Sequence, residues 1–244
     1  MKKELFVWGL LGVLGLSARP SQAQSVELTM DIFTSSVLSQ TTTLLNNNAV
    51  MAAAHNAKAE KRSDSATSAK RLVKLAYMPT PALRQQTVQN LARQLQAHNA
   101  AAGQAITSAF GPGKTDYNQL FGQMVQPSGL PANNAATAFA AYLEIAYVAV
   151  NGVSEASVTP AMDRALQRQT TSLLSSNKSL TSPAAVARLG EEMKLQAVVL
   201  YLGWQTAKTR GQETQFKANI ANTFKSKGLD LSALRLTNNG LVKR

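Results

Sequence analysis

The chain has 244 residues, no cysteine, and 25 Lys+Arg against 13 Asp+Glu, giving a formal net charge of +12. The apolar fraction of 45% is that of a chain that folds around a core. The missing cysteines exclude a disulfide scaffold, a thiolate zinc or iron–sulfur site and a cysteine nucleophile. Two histidines, His55 and His98, leave little for a histidine metal cluster or a His-based triad.

The N-terminus reads as an export signal. Met1-Lys2-Lys3 is positive, Leu5 to Leu16 is an apolar run of twelve, and Ser21-Gln22-Ala23 places small residues where a signal peptidase cuts. This predicts a leader over residues 1–23 and a new terminus at Gln24. Twelve residues fall short of the ~20 that span a bilayer, and no cysteine is present to carry a lipid. The expected location is therefore the periplasm or the medium of a bacterium. Losing Lys2, Lys3 and Arg19 together with Glu4 leaves 22 bases, 12 acids and a net charge of +10.

Residues 24–71 are rich in Ser, Thr, Asn and Ala, and almost no large apolar side chain follows Met51. Such a stretch buries too little surface to offset the entropy of ordering it, so the reading is a flexible or partly helical arm. From residue 72 helical spacing dominates, and the predicted helical domain runs over 72–236 with a tail at 237–244. Thr80-Pro81 opens a run through Leu83, Val88, Leu91, Leu95, Ala102 and Ile106, stopped by Phe110-Gly111-Pro112-Gly113. A short helix over about 116–125 follows, then the loop Pro127-Ser128-Gly129-Leu130-Pro131. Asn133 or Asn134 caps a helix over about 134–151 that is apolar nearly all round and belongs in the middle of the domain. Thr159-Pro160 and Ser182-Pro183 repeat the opening signal, and the second carries Val186, Leu189, Met193, Ala197, Leu200, Tyr201 and Trp204. A further helix over about 212–227 stops at Gly228, after which Leu229, Leu231, Leu234 and Leu236 fold back onto the domain. The expected fold is all-α: a compact bundle or array of five to six helices around the buried central one, with no convincing strand ladder.

Catalytic patterns are sparse. Gly113-Lys114-Thr115 hints at a phosphate loop, but Ser108 stands where the pattern needs glycine, and the preceding segment reads as helix. The echo His55-Asn56-Ala57 and His98-Asn99-Ala100 has no acid at helical spacing from both histidines, so no metal site is assigned. No Gly-x-Ser-x-Gly elbow occurs. Glu144 is the one ionisable residue in the apolar helix, a buried-charge candidate that either lies on a narrow exposed strip or pairs with a base such as Arg84 or Arg188. Tyr142, Tyr147, Tyr201 and Trp204 read as core rather than as a ligand platform. No catalytic, cofactor-binding or metal-binding residue is assigned, and no cofactor is expected.

Lys58, Lys61, Arg62, Lys70, Arg71 and Lys74 gather in the arm and at the domain entrance, opposed by Glu60 and Asp64. A basic stretch of this kind suits either a solvated, solubilising segment or contact with an anionic polymer or membrane surface. The absence of interleaved aromatics argues against specific nucleic-acid recognition. The mature chain carries no run long enough to span a membrane.

Several segments resemble a bacterial family of exported proteins known as a domain of unknown function. The resemblance rests on Tyr77-Met78-Pro79-Thr80-Pro81 with Arg84, Asp116-Tyr117, Gly129-Leu130-Pro131-Ala132-Asn133-Asn134, Tyr142 and Val150-Asn151-Gly152, over about residues 77–236. It implies a signal peptide, a variable N-terminal part and a helical domain, and brings no catalytic residues with it. Together these readings predict an exported, non-enzymatic binding or structural protein of the bacterial envelope, whose partner is another envelope protein or an anionic surface. The alternatives are an enzyme of unfamiliar type using Glu144 as acid or base, and a membrane-active oligomer.

Overall fold

The computed structural model describes residues 74–244 except 176, 178 and 179. The expected leader, the arm and the basic residues Lys58, Lys61, Arg62, Lys70 and Arg71 lie outside the described residues. The described chain forms α1 (Pro81–Gln96), α2 (Ala100–Phe110), α3 (Tyr117–Val125), α4 (Ala135–Asn151), α5 (Pro160–Ser175), α6 (Pro183–Thr209) and α7 (Glu213–Ser226), then β1 (Leu234–Thr237) and β2 (Gly240–Lys243). The all-α class holds, with seven α-helices among the described residues rather than five or six.

The extra helix comes from the run that opens at Thr80-Pro81. Asn99 breaks it, because its Oδ1 accepts from the Ala102 amide at 3.1 Å and starts a new helix. A short polar side chain satisfies an amide that an uninterrupted helix would bond to a backbone carbonyl, so the chain turns at Ala97–Asn99. Side chains cap five other starts in the same way, Thr80 for α1, Asp116 for α3, Asn134 for α4, Thr159 for α5 and Ser182 for α6, whereas α7 has no side-chain cap. Gly152 ends α4 at φ 62°, in the left-handed region that a side chain disfavours.

α4 is the centre of the domain. Thirteen of its seventeen residues are buried, and it packs against α5, α6 and α7. Each large apolar side chain removed from water there, such as Phe139 or Leu143, contributes roughly 1.5–3 kcal/mol. α6, the longest helix at 27 residues, packs on α4 and reaches α1, α3 and α7. Tyr142 of α4 meets Phe224 of α7 with ring centroids 5.6 Å apart.

The C-terminal residues form a small antiparallel hairpin rather than a tail. Leu234 pairs with Lys243, Arg235 with Val242, Leu236 with Leu241 and Thr237 with Gly240. The Gln169 side chain of α5 closes the outer edge of β2, donating to the Leu241 carbonyl at 3.0 Å and accepting from its amide at 2.9 Å. Leu229, Leu231, Leu234 and Leu236 are all buried. Residues 74–80 form a strap along the start of α4. Ala135 donates to the Leu75 carbonyl at 2.9 Å and Tyr77 to the Asn133 carbonyl at 3.1 Å.

Candidate functional site

Where strap, α3, the loop before α4 and α6 meet, the structure buries an ion pair. Glu191 and Lys194 lie three residues apart on α6, both with no solvent exposure, and Lys194 Nζ is 2.8 Å from Glu191 Oε1. The spacing puts both side chains on one helix face, turned away from the stripe of Val186, Leu189, Met193 and Ala197; both are buried because α6 is packed on several sides, by α1, α3, α4 and α7.

A charge in such a place needs every polar atom engaged. Lys194 has three N–H groups and uses three acceptors: Glu191 Oε1, Asn118 Oδ1 at 2.7 Å and Asn133 Oδ1 at 2.8 Å. Glu191 Oε1 also accepts from the Tyr77 hydroxyl at 2.8 Å, and Oε2 accepts from the Tyr117 hydroxyl at 2.6 Å. The ammonium lies 5.1 Å from the Tyr77 ring centroid and 5.8 Å from that of Phe121, so aromatic faces complete its surroundings. Gly190 allows the close approach of the strap: a Cβ there would fall 2.2 Å from the Tyr77 ring.

Burial shapes the electrostatics. It pushes the Tyr77 and Tyr117 hydroxyls far above the ordinary tyrosine range, with the Glu191 charge adding to the effect. It lowers Lys194 from the ordinary lysine range, against the upward pull of Glu191. Both tyrosines are thus held as donors and Glu191 as the shared acceptor. At the rim, Arg84 pairs with Asp116 at 2.8 Å. The network holds ionised groups in fixed positions, but its donors and acceptors are turned on one another.

The residues singled out from sequence lie elsewhere. Glu144 is half-buried on α4, whereas Glu191 and Lys194 are fully buried and Asp163 is buried on α5. Arg84, one of the bases considered for Glu144, turns to Asp116. Lys74 is exposed at the start of the strap. Tyr142, Tyr147 and Trp204 are buried and Tyr201 is partly buried against the core. Gly113-Lys114-Thr115 follows a helix, and its amides close the turn: Lys114 donates to the Gly111 carbonyl and Thr115 to the Ala109 carbonyl. Among the described residues no three His, Asp or Glu side chains are placed to hold a metal ion. None of the described helices is long and apolar enough to cross a membrane.

The sequence signals for the network were the short motifs themselves. Tyr77, Tyr117 and Asn133 belong to three separate segments of the resemblance, and Arg84 and Asp116 flank them. Glu191 and Lys194, an acid and a base three residues apart in a largely apolar helix, were not picked out as a pair by the sequence reading, because nothing local shows that both are buried.

A helical domain organised around a closed, buried charge network is the class of protein that fold and site define. The chain belongs to a family of unknown function, DUF6683, whose model matches residues 9–244. No curated protein and no solved structure matches it.

Proposed function

We propose that the chain is an exported, non-enzymatic binding or structural protein of the bacterial envelope, in which a rigid helical domain carries a basic N-terminal stretch toward an anionic surface. The observation that carries this reading is the anchoring of the strap. Lys74 is exposed only three residues before Tyr77, whose hydroxyl is fixed to the buried Glu191. The basic stretch of Lys58, Lys61, Arg62, Lys70, Arg71 and Lys74 is followed directly by this attachment point, which supports a role for its charge surplus in binding. A mutually satisfied ion pair supports a structural role for Glu191 and Lys194, since it offers no free acid, base or nucleophile.

The test is binding of the chain from Gln24 onward to vesicles of anionic phospholipid over a salt series. Binding that weakens steeply with salt, and that is lost when residues 24–71 are removed, supports the reading. Equal binding by the two forms at low salt ends it.

A further inference from the structure

A second polar site lies on the outer side of α6, facing α1. Thr87, Asn90, Leu91 and Gln94 of α1 and Glu192, Leu195 and Gln196 of α6 line a pocket of about 20 Å³, room for roughly one water molecule. Two of its features do not fit an ordinary helix seam. Gln196 is buried, and no protein group donates to its Oε1. Glu192 stands four residues earlier on the same helix, on the same face, so the two side chains are neighbours in one small space.

A buried acceptor without a donor costs about 1–3 kcal/mol. An ionised carboxylate beside it worsens the mismatch, because it too can only accept. A neutral carboxyl removes the mismatch by supplying an O–H. We infer that the α1–α6 seam holds a proton-binding site, in which neutral Glu192 donates to Gln196 Oε1 and loss of that proton loosens α1 from α6.

The charges around the pocket are consistent with this. The α1 wall contributes no titratable group. Arg93 of α1 is tied to Asn90 through a bond of 2.6 Å, and Arg84 is turned to Asp116. On α6, Glu191 and Lys194 face the interior and bond each other, which leaves Arg188 as the charge that opposes protonation. Burial outweighs Arg188 and pushes the Glu192 carboxyl up to about 7. With its folded value above its unfolded one, Glu192 stabilises the fold at low pH, and that contribution is lost as pH rises from about 4.5 through 7.

Two measurements on the full chain test the site. The carboxyl carbon resonance of Glu192, followed by NMR from pH 4 to 9, should titrate near neutrality; a midpoint in the ordinary glutamate range overturns the inference. Glu192→Gln supplies a permanent donor in the same place. Between pH 4 and pH 8 the ratio of the parent's unfolding constant to the variant's should rise by roughly tenfold, after allowance for partial exposure. Hydrogen exchange over α1 should accelerate above neutrality in the parent beyond the intrinsic pH effect, and not in the variant. A ratio that stays constant with pH, or α1 exchange that changes equally in both proteins, overturns it.

Discussion

Lys194 is a charge that the fold can hold only because three acceptors converge on it. Asn118, Asn133 and Glu191 come from α3, the loop before α4 and α6, so the ammonium ties three parts of the chain to one point. Removing one partner of such a pair is worse than removing both. Lys194→Met leaves the Glu191 carboxylate buried without its counter-charge and should lower stability by about 3–5 kcal/mol. The double change Glu191→Leu with Lys194→Met should lower it by less than the two single changes summed, as read from urea unfolding of all four proteins. Additive losses would mean that the two groups do not stabilise each other. The tyrosine hydroxyls explain why Glu191 tolerates burial, since they bring two further donors to its oxygens.

Helix starts carry much of the element-level information. The Ser/Thr-Pro openings at Thr80, Thr159 and Ser182 were legible because a capping oxygen and a fixed proline φ act locally, within one turn. The break at Asn99 was hidden for a related reason. Apolar residues continue at helical spacing from Leu95 to Ala102 and Ile106, and three residues of turn barely disturb that rhythm. Asn99→Ala removes the cap of α2 and should cost about 1 kcal/mol. Thermal unfolding of the variant checks this, and an unchanged midpoint would show that packing alone sets the α1–α2 break. The C-terminal hairpin was equally hard to read. Leu234, Arg235 and Leu236 alternate over too short a span, and the ladder is completed by a side chain of α5 far away in sequence.

At the scale of the whole molecule, α4 and α6 make separate unfolding of parts unfavourable. α4 touches α5, α6 and α7, while α6 touches α1, α3, α4 and α7, so neither can leave without exposing most of the core. A protein beginning at Gln24 lacks Trp8 and keeps Trp204 as its one tryptophan. Trp204 is buried near the end of α6 with the Lys208 ammonium 4.4 Å from its ring centroid, so its emission reports on the packing of that end of α6. Denaturant curves followed by Trp204 fluorescence and by far-ultraviolet circular dichroism should therefore superimpose. Separated midpoints would show that the α1–α2 pair, or the C-terminal hairpin, unfolds independently.

The sequence alone determined the helical class, most helix starts and the burial of α4. Each of these depends on residues within a few turns of one another, through capping, proline geometry and the period of apolar side chains. Only the tertiary structure decided which charges are buried and what satisfies them. Tyr77 and Glu191 are 114 residues apart, and Lys194 and Asn133 are 61 apart. No local rhythm records such a meeting, because it exists only once the strap, α3, the loop before α4 and α6 have packed together.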